Sequence, residues 1–192
     1  ISFPRYHTPE GRIVGQCYLG KDNLGEGDVA WFGDADSLDP KIATLYYAAD
    51  RRAALPEILE ILSSGKNAIL DRYVESNMAH QAGKKETLKE RKEIIRFLER
   101  LEYDLLELPR PDITVFLRMP TDFAIKLHEG KGVKRDKHES NPGHLRRAEE
   151  TFIYLAEEYR WVTIPCVSNE KVRTIEDIHE EVYAKVKKRL LS

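Results

Sequence analysis

Apolar positions along the chain follow two rhythms. Four short runs, 1–3 (ISF), 67–70 (NAIL), 112–117 (DITVFL) and 161–167 (WVTIPCV), are apolar on both alternating faces rather than on one. Strands of a parallel sheet covered by helices read that way. Between them lie stretches with helical spacing. Residues 40–64 carry Ile42, Leu45, Tyr46 and Ala49, with Pro56 expected to bend or divide the helix. Residues 88–108 form a charged amphipathic pattern through Ile94, Ile95, Leu98, Leu101 and Leu105. Two further helices are expected over 145–159 and 174–191, the last capped by Thr174. Strands alternating with helices predict an α/β fold, a doubly wound parallel sheet flanked by helices. Two segments read as loops: 20–39, rich in Gly and Asp, and 129–144, polar and locally basic. The second has the character of a mobile lid, or of a charged, solvated turn.

Composition narrows the setting. The chain has 192 residues, 33% charged and 41% hydrophobic, enough for one domain with a sizeable core. Its net charge of -2 leaves no basic excess of the kind that marks general nucleic-acid binding. No apolar run approaches the roughly 20 residues of a membrane span, and nothing resembles a signal peptide. Cys17 and Cys166 have neither disulfide-framework nor zinc-ligand spacing, which favours a reducing, cytoplasmic setting. His128, His138 and His144 crowd one segment, at a spacing irregular for zinc.

Candidate chemistry sits at the strand ends, where open α/β sheets bind ligands. Arg5 follows the first run, Asp71-Arg72 the second and Arg118 the third; Arg51 and Arg135 lie elsewhere. The planar fork of arginine suits bidentate phosphate binding, and a strand-end aspartate among phosphates suits magnesium. The alternative is a buried salt bridge or a fold cap. After Asp71-Arg72 comes a polar helix in which Asn77 and Gln81 share a face at i and i+4. Their amides offer both donors and acceptors, matched to a base edge or to solvent at a helix start.

The ordered segments SFPRY, LYYAADR (45–51), LSSGKNAILDRYVESNMAHQAG (62–83) and KRDKHE…LRRAEETFIYLA (134–156) resemble the thymidylate kinase family, within the nucleoside monophosphate kinases. The resemblance spans nearly the whole chain, and DRYVxSxxAxQ is its most specific part. It implies ATP- and magnesium-dependent phosphorylation of dTMP to dTDP, a five-stranded parallel sheet and a homodimer. On that resemblance, Arg5 and Arg51 surround the phosphate and base of dTMP, and Tyr47 stacks on thymine rather than serving as a core tyrosine. Asp71 lies near magnesium and the acceptor phosphate, and Arg72 clamps that phosphate. Ser76, Asn77, His80 and Gln81 line the acceptor site. Arg135, with Lys131 and Lys134, belongs to a lid over the ATP phosphates.

Two departures stand out. No stretch fits the phosphate-cradling G-x-x-x-x-G-K-[ST] loop of the family. With Ile1 in a strand-like start, the expectation is that this loop and the first strand lie upstream, and that the chain as given is inactive without them. His80 stands where the family often has a tyrosine that excludes a ribose 2′-hydroxyl. Other readings are another deoxynucleotide or deoxynucleoside kinase, or a non-catalytic nucleotide-binding relative without the phosphate loop.

Overall fold

The structure, a computed structural model, describes residues 1–19, 36–129 and 141–191. The chain divides into two compact units: residues 1–109 with 135–148, and residues 110–134 with 149–192.

The first unit is mostly helical. Helix α1 (Pro9–Arg12), capped by Thr8, runs into a π-helical segment, Ile13–Leu19. Asp39 caps α2 (Pro40–Ser63) by accepting from the Lys41 amide, and Pro40 occupies its first turn. Helix α2 is one continuous element, so Pro56 does not divide it. Pro56 faces solvent, where water can serve the carbonyl its ring deprives of a donor. Helix α3 (Val74–Ala82) begins after Tyr73, its N-cap residue. Helix α4 (Leu88–Glu99) starts at a reciprocal capping box of Thr87 and Glu90, whose hydrogen bonds hold the Glu90 carboxyl below its usual range. It continues as a second π-helical turn, Arg100–Leu105. The core of this unit comes from facing apolar stripes: Ala54 and Ile58 of α2, Val74, Met78 and Ala82 of α3, and Ile94 and Leu98 of α4. Its extended backbone is sparse. Ser2 and Asp71 form a parallel bridge, closed by Phe3 N–H to Asp71 O (2.9 Å) and Asp71 N–H to Ile1 O (2.8 Å).

The second unit holds β1 (Val115–Arg118) and β2 (Val162–Pro165), paired in parallel with Val115 opposite Val162. Helix α5 (Thr121–Glu129) follows β1, and Glu149 accepts from both the amide and the hydroxyl of Thr121. Helix α6 (Pro142–Glu158) leads into β2; its Phe152 stacks on Phe116 with centroids 5.2 Å apart. Next come β3 (Val167–Ser168) and β4 (Lys171–Val172), a small antiparallel pair, and then α7 (Ile175–Leu190). Thr174 caps α7 as its sequence predicts, accepting from the Asp177 amide.

Parallel pairing and helix alternation agree with the expected α/β class. Three expectations are corrected. The run 67–70 is not a covered strand: it meets the first residues through the Asp71 bridge and a bond from the Ile1 N-terminus to the Ile69 carbonyl (2.9 Å), and Ile69 is 84% exposed. The run 112–117 becomes strand only from Val115, and Leu117 is exposed. The run 161–167 is strand only to Pro165; the Cys166 amide makes a last bond to the Arg118 carbonyl (2.9 Å), and the chain turns into the β3–β4 pair. Among the described residues no helix is long and apolar enough to cross a membrane.

Candidate active site

A cleft open to solvent at its mouth lies within the first unit. Phe3, Pro4, Leu19, Tyr47, Arg51, Arg72, Tyr73, Ser76, Asn77, His80, Gln81 and Leu145 line it. Seven residues singled out in the sequence therefore meet here: Tyr47, Arg51, Arg72, Ser76, Asn77, His80 and Gln81. The periodicity of α3 explains four of them, because Ser76 or Asn77 with His80 and Gln81 recur at i+3 and i+4 on one helix face.

One wall is a closed ionic network. Arg51, 2% exposed, donates through Nε (2.5 Å) and Nη2 (2.7 Å) to the Glu102 carboxylate, itself fully buried. Burial opposes the Arg51 charge, but Glu102 outweighs it and holds the guanidinium above its ordinary pKa. Asn77 Nδ2 donates to Glu102 Oε1 at 3.4 Å. Beside them Tyr103 donates to Glu75 Oε1 at 2.5 Å. Burial pushes the Glu75 carboxyl up, against the pull of that hydrogen bond, and pushes the Tyr73 and Tyr103 hydroxyls up as well.

The adjacent wall is open chemistry. Both amide atoms of Gln81, a residue with no exposed surface, lack a partner, and so does Asn77 Oδ1. Each such atom costs on the order of 1–3 kcal/mol when left unmade. The Asn77 orientation follows from its neighbour: a carboxylate only accepts, so the nitrogen faces Glu102 and the oxygen is left as an acceptor. The Tyr47 ring is held edge-on by Tyr18 (5.7 Å, 87°), and the Arg51 guanidinium lies 5.9 Å from its centroid. Arg72 is exposed with φ of 60°, a left-handed conformation that costs a non-glycine residue on the order of 1–3 kcal/mol. Such strain clusters at ligand clamps, and here it turns the chain abruptly from the Asp71 bridge into α3.

Other predicted residues stand elsewhere. Arg5 binds Asp50 through its amide (2.8 Å), Nε (3.0 Å) and Nη2 (2.9 Å to the Asp50 carbonyl), and it does not line the cavity. Asp71 is exposed, its Oδ2 accepting from the Ser2 hydroxyl at 2.8 Å. Its hard oxygens suit a magnesium ion that keeps most of its water. Lys131, Lys134, Arg135 and His138, and most of the expected lid over 129–144, lie outside the described residues. Glu102, Glu75 and Asp50 were not foreseen. Glu102 had a signal: it falls at i+4 from Leu98 and i+7 from Ile95, a carboxylate on an apolar stripe, which requires a buried partner.

Comparison with known proteins gives a consistent result. The family model described as thymidylate kinase matches residues 31–182. A thymidylate kinase of Limosilactobacillus fermentum is 30% identical over 154 residues, covering 78% of this chain and 69% of its own. A probable thymidylate kinase of Pyrococcus abyssi is 26% identical, covering 96% and 78%. Among solved structures, a thymidylate kinase from Candida albicans superposes with a TM-score of 0.67 at 18% identity, over 98% of this chain and 80% of that one.

Proposed function

The chain belongs to the thymidylate kinase family, and from that premise we propose that the protein transfers the γ-phosphate of ATP to dTMP, giving dTDP and ADP. The observation that carries this reading is the set of unpartnered buried amide atoms on α3. A thymine ring presents N3–H between two carbonyl oxygens. Asn77 Oδ1, fixed as an acceptor by Glu102, suits N3–H, and the Gln81 amide suits a neighbouring carbonyl. Tyr47 and Phe3 supply apolar walls for the ring.

The acceptor phosphate falls to Arg72, the one arginine of the cavity whose side chain stands exposed at the mouth. Phosphoryl transfer needs positioning and charge neutralisation more than covalent help. An oxygen of the dTMP phosphate attacks the γ-phosphorus, and the bond to the β–γ bridging oxygen breaks. Arg72 holds the attacking phosphate, and Asp71 would hold magnesium beside it. The ion, when bound, neutralises phosphate charge. Lys131, Lys134 and Arg135 are assigned to the ATP side on the family resemblance. The test is ADP release with dTMP as acceptor, measured on the complete protein. We expect turnover with dTMP, and at least a tenfold fall in kcat for Arg72→Lys with unchanged Tm, since lysine keeps the charge and loses the fork. Normal turnover in that variant would remove Arg72 from the mechanism.

A further inference from the structure

Separate walls of the cavity are tied together by one ammonium group that does not line it. Lys84 follows the Gly83 cap of α3, and its amide donates to the Gln81 carbonyl (3.3 Å). Its Nζ donates to the Tyr18 hydroxyl oxygen at 2.9 Å and to the Leu38 carbonyl at 3.1 Å. The same nitrogen lies 5.3 Å from the centroid of the Tyr18 ring, much farther than from its oxygen. The ammonium therefore sits beyond the hydroxyl end of the ring, and the contact is a hydrogen bond to oxygen rather than a cation over the aromatic face. Tyr18 belongs to the π-helical segment and is 1% exposed. Its ring meets that of Tyr47 at 87°, with centroids 5.7 Å apart. Tyr18, Leu19 and Ala43 share one buried cluster, against which Leu38 and Tyr47 pack. Leu38 leads into the Asp39 cap of α2, the helix that carries Tyr47. Lys84 thus joins three segments, each of which supplies a lining residue: Leu19, Tyr47 and Gln81.

A lysine ammonium only donates, so the Tyr18 oxygen is an acceptor here and is anchored to the end of α3. Tyr18 in turn restrains the Tyr47 ring, because perpendicular rings in contact hold each other by edge and face. A flat base that stacks on Tyr47 while its edge meets the Asn77 and Gln81 amides depends on two helices at once. Groups that must act together on one ligand need their spacing held to within about 0.5 Å. We propose that Lys84 and Tyr18 are positioning residues of the nucleotide site, whose hydrogen bond sets the Tyr47 ring in register with the amides of α3. The inference rests on the nucleotide reading of the cavity and deepens it by naming what holds the stacking surface in place. Neither residue touches the ligand in this scheme. The π-helical turn fits the role, since such turns are rare and recur at functional sites. Here its last two residues divide the work: Tyr18 carries the clamp and Leu19 lines the cavity.

The test has two readouts on the complete protein. The first needs no nucleotide. Carbon-13 spectra of the tyrosine rings in the ligand-free protein report the setting of Tyr47, whose signals are assigned by their loss in Tyr47→Ala. We expect them to move in Lys84→Met, which keeps the stem and removes the donor, and in Tyr18→Phe, which keeps the ring and removes the acceptor. Lys84→Arg, still a donor, should leave them near their original positions. Tyr18→Phe deletes a single oxygen and keeps the test open if Lys84→Met does not fold. The second readout is affinity for dTMP by calorimetry. Each of the two variants should cost about fivefold, and the pair together no more than the larger single loss, because both remove the same hydrogen bond. In a Tyr47→Ala background, Lys84→Met should change affinity by less than about twofold. Unmoved Tyr47 signals in both variants, or an equal loss of affinity with and without the Tyr47 ring, would overturn the proposal. If dTMP does not bind the unmodified protein, the nucleotide reading fails and the positioning of a bound nucleotide fails with it, while the tyrosine spectra still decide whether Lys84 sets the Tyr47 ring.

Discussion

Two ends of the same helix show opposite solutions to burying polar atoms. Around Asn77, the Arg51–Glu102 pair meets two donors with two acceptors at 2.5 and 2.7 Å, and Asn77 Nδ2 completes the carboxylate. One turn along, Gln81 is equally buried and neither amide atom has a partner. The first arrangement is closed on itself and supports the wall. The second is incomplete without something in the cavity. Arg51 spends Nε and Nη2 on Glu102 and also lines the cavity, so its pairing with Glu102 holds the guanidinium in the wall. The unsatisfied amides are the better pointers to a ligand.

The comparison breaks most visibly on the closed side. Glu102→Leu leaves the Arg51 guanidinium buried without its counter-charge and should cost about 3–5 kcal/mol of unfolding free energy, read by urea denaturation. The double variant Arg51→Met with Glu102→Leu should recover most of that loss, because it removes the stranded charge. Failure to recover would mean the network contributes more than mutual compensation. On the open side the effect should move from stability to binding. Gln81→Met keeps the volume and removes two unpaired polar atoms, so Tm should hold or rise. Affinity for dTMP should fall about thirtyfold, or ~2 kcal/mol, by calorimetry. A drop in Tm with unchanged affinity would place Gln81 among the framework residues.

Much of this site was legible in the sequence because it is local. Asp71-Arg72 ends an extended run, and Asn77, His80 and Gln81 recur at helical spacing within the following eleven residues. Tyr47 and Arg51 likewise share a face of α2 at i and i+4. What the sequence hid is long-range. Glu102 is 51 positions from Arg51, His144 is 64 from His80, and Asp50 is 45 from Arg5. No periodicity within a helix announces a partner on another one. The expectation of a covered strand over 67–70 failed for a related reason: apolar alternation marks what can be buried, while pairing on both edges decides what is. The 67–70 run meets Ile1 at the Ile69 carbonyl and pairs with the first residues through the Asp71 bridge.

The central claim is that Asn77, oriented by Glu102, and Gln81 read a thymine edge. Calorimetric titration of the protein with dTMP and with dCMP tests it directly. Cytosine carries a lone pair at N3 and an amine beside it, so it opposes the Asn77 oxygen where thymine donates to it. A site with buried polar groups left unpaired rejects such a mismatch. The account predicts dTMP binding at least about tenfold tighter than dCMP, a difference of roughly 1.4 kcal/mol or more. Equal affinity for the two nucleotides would contradict it.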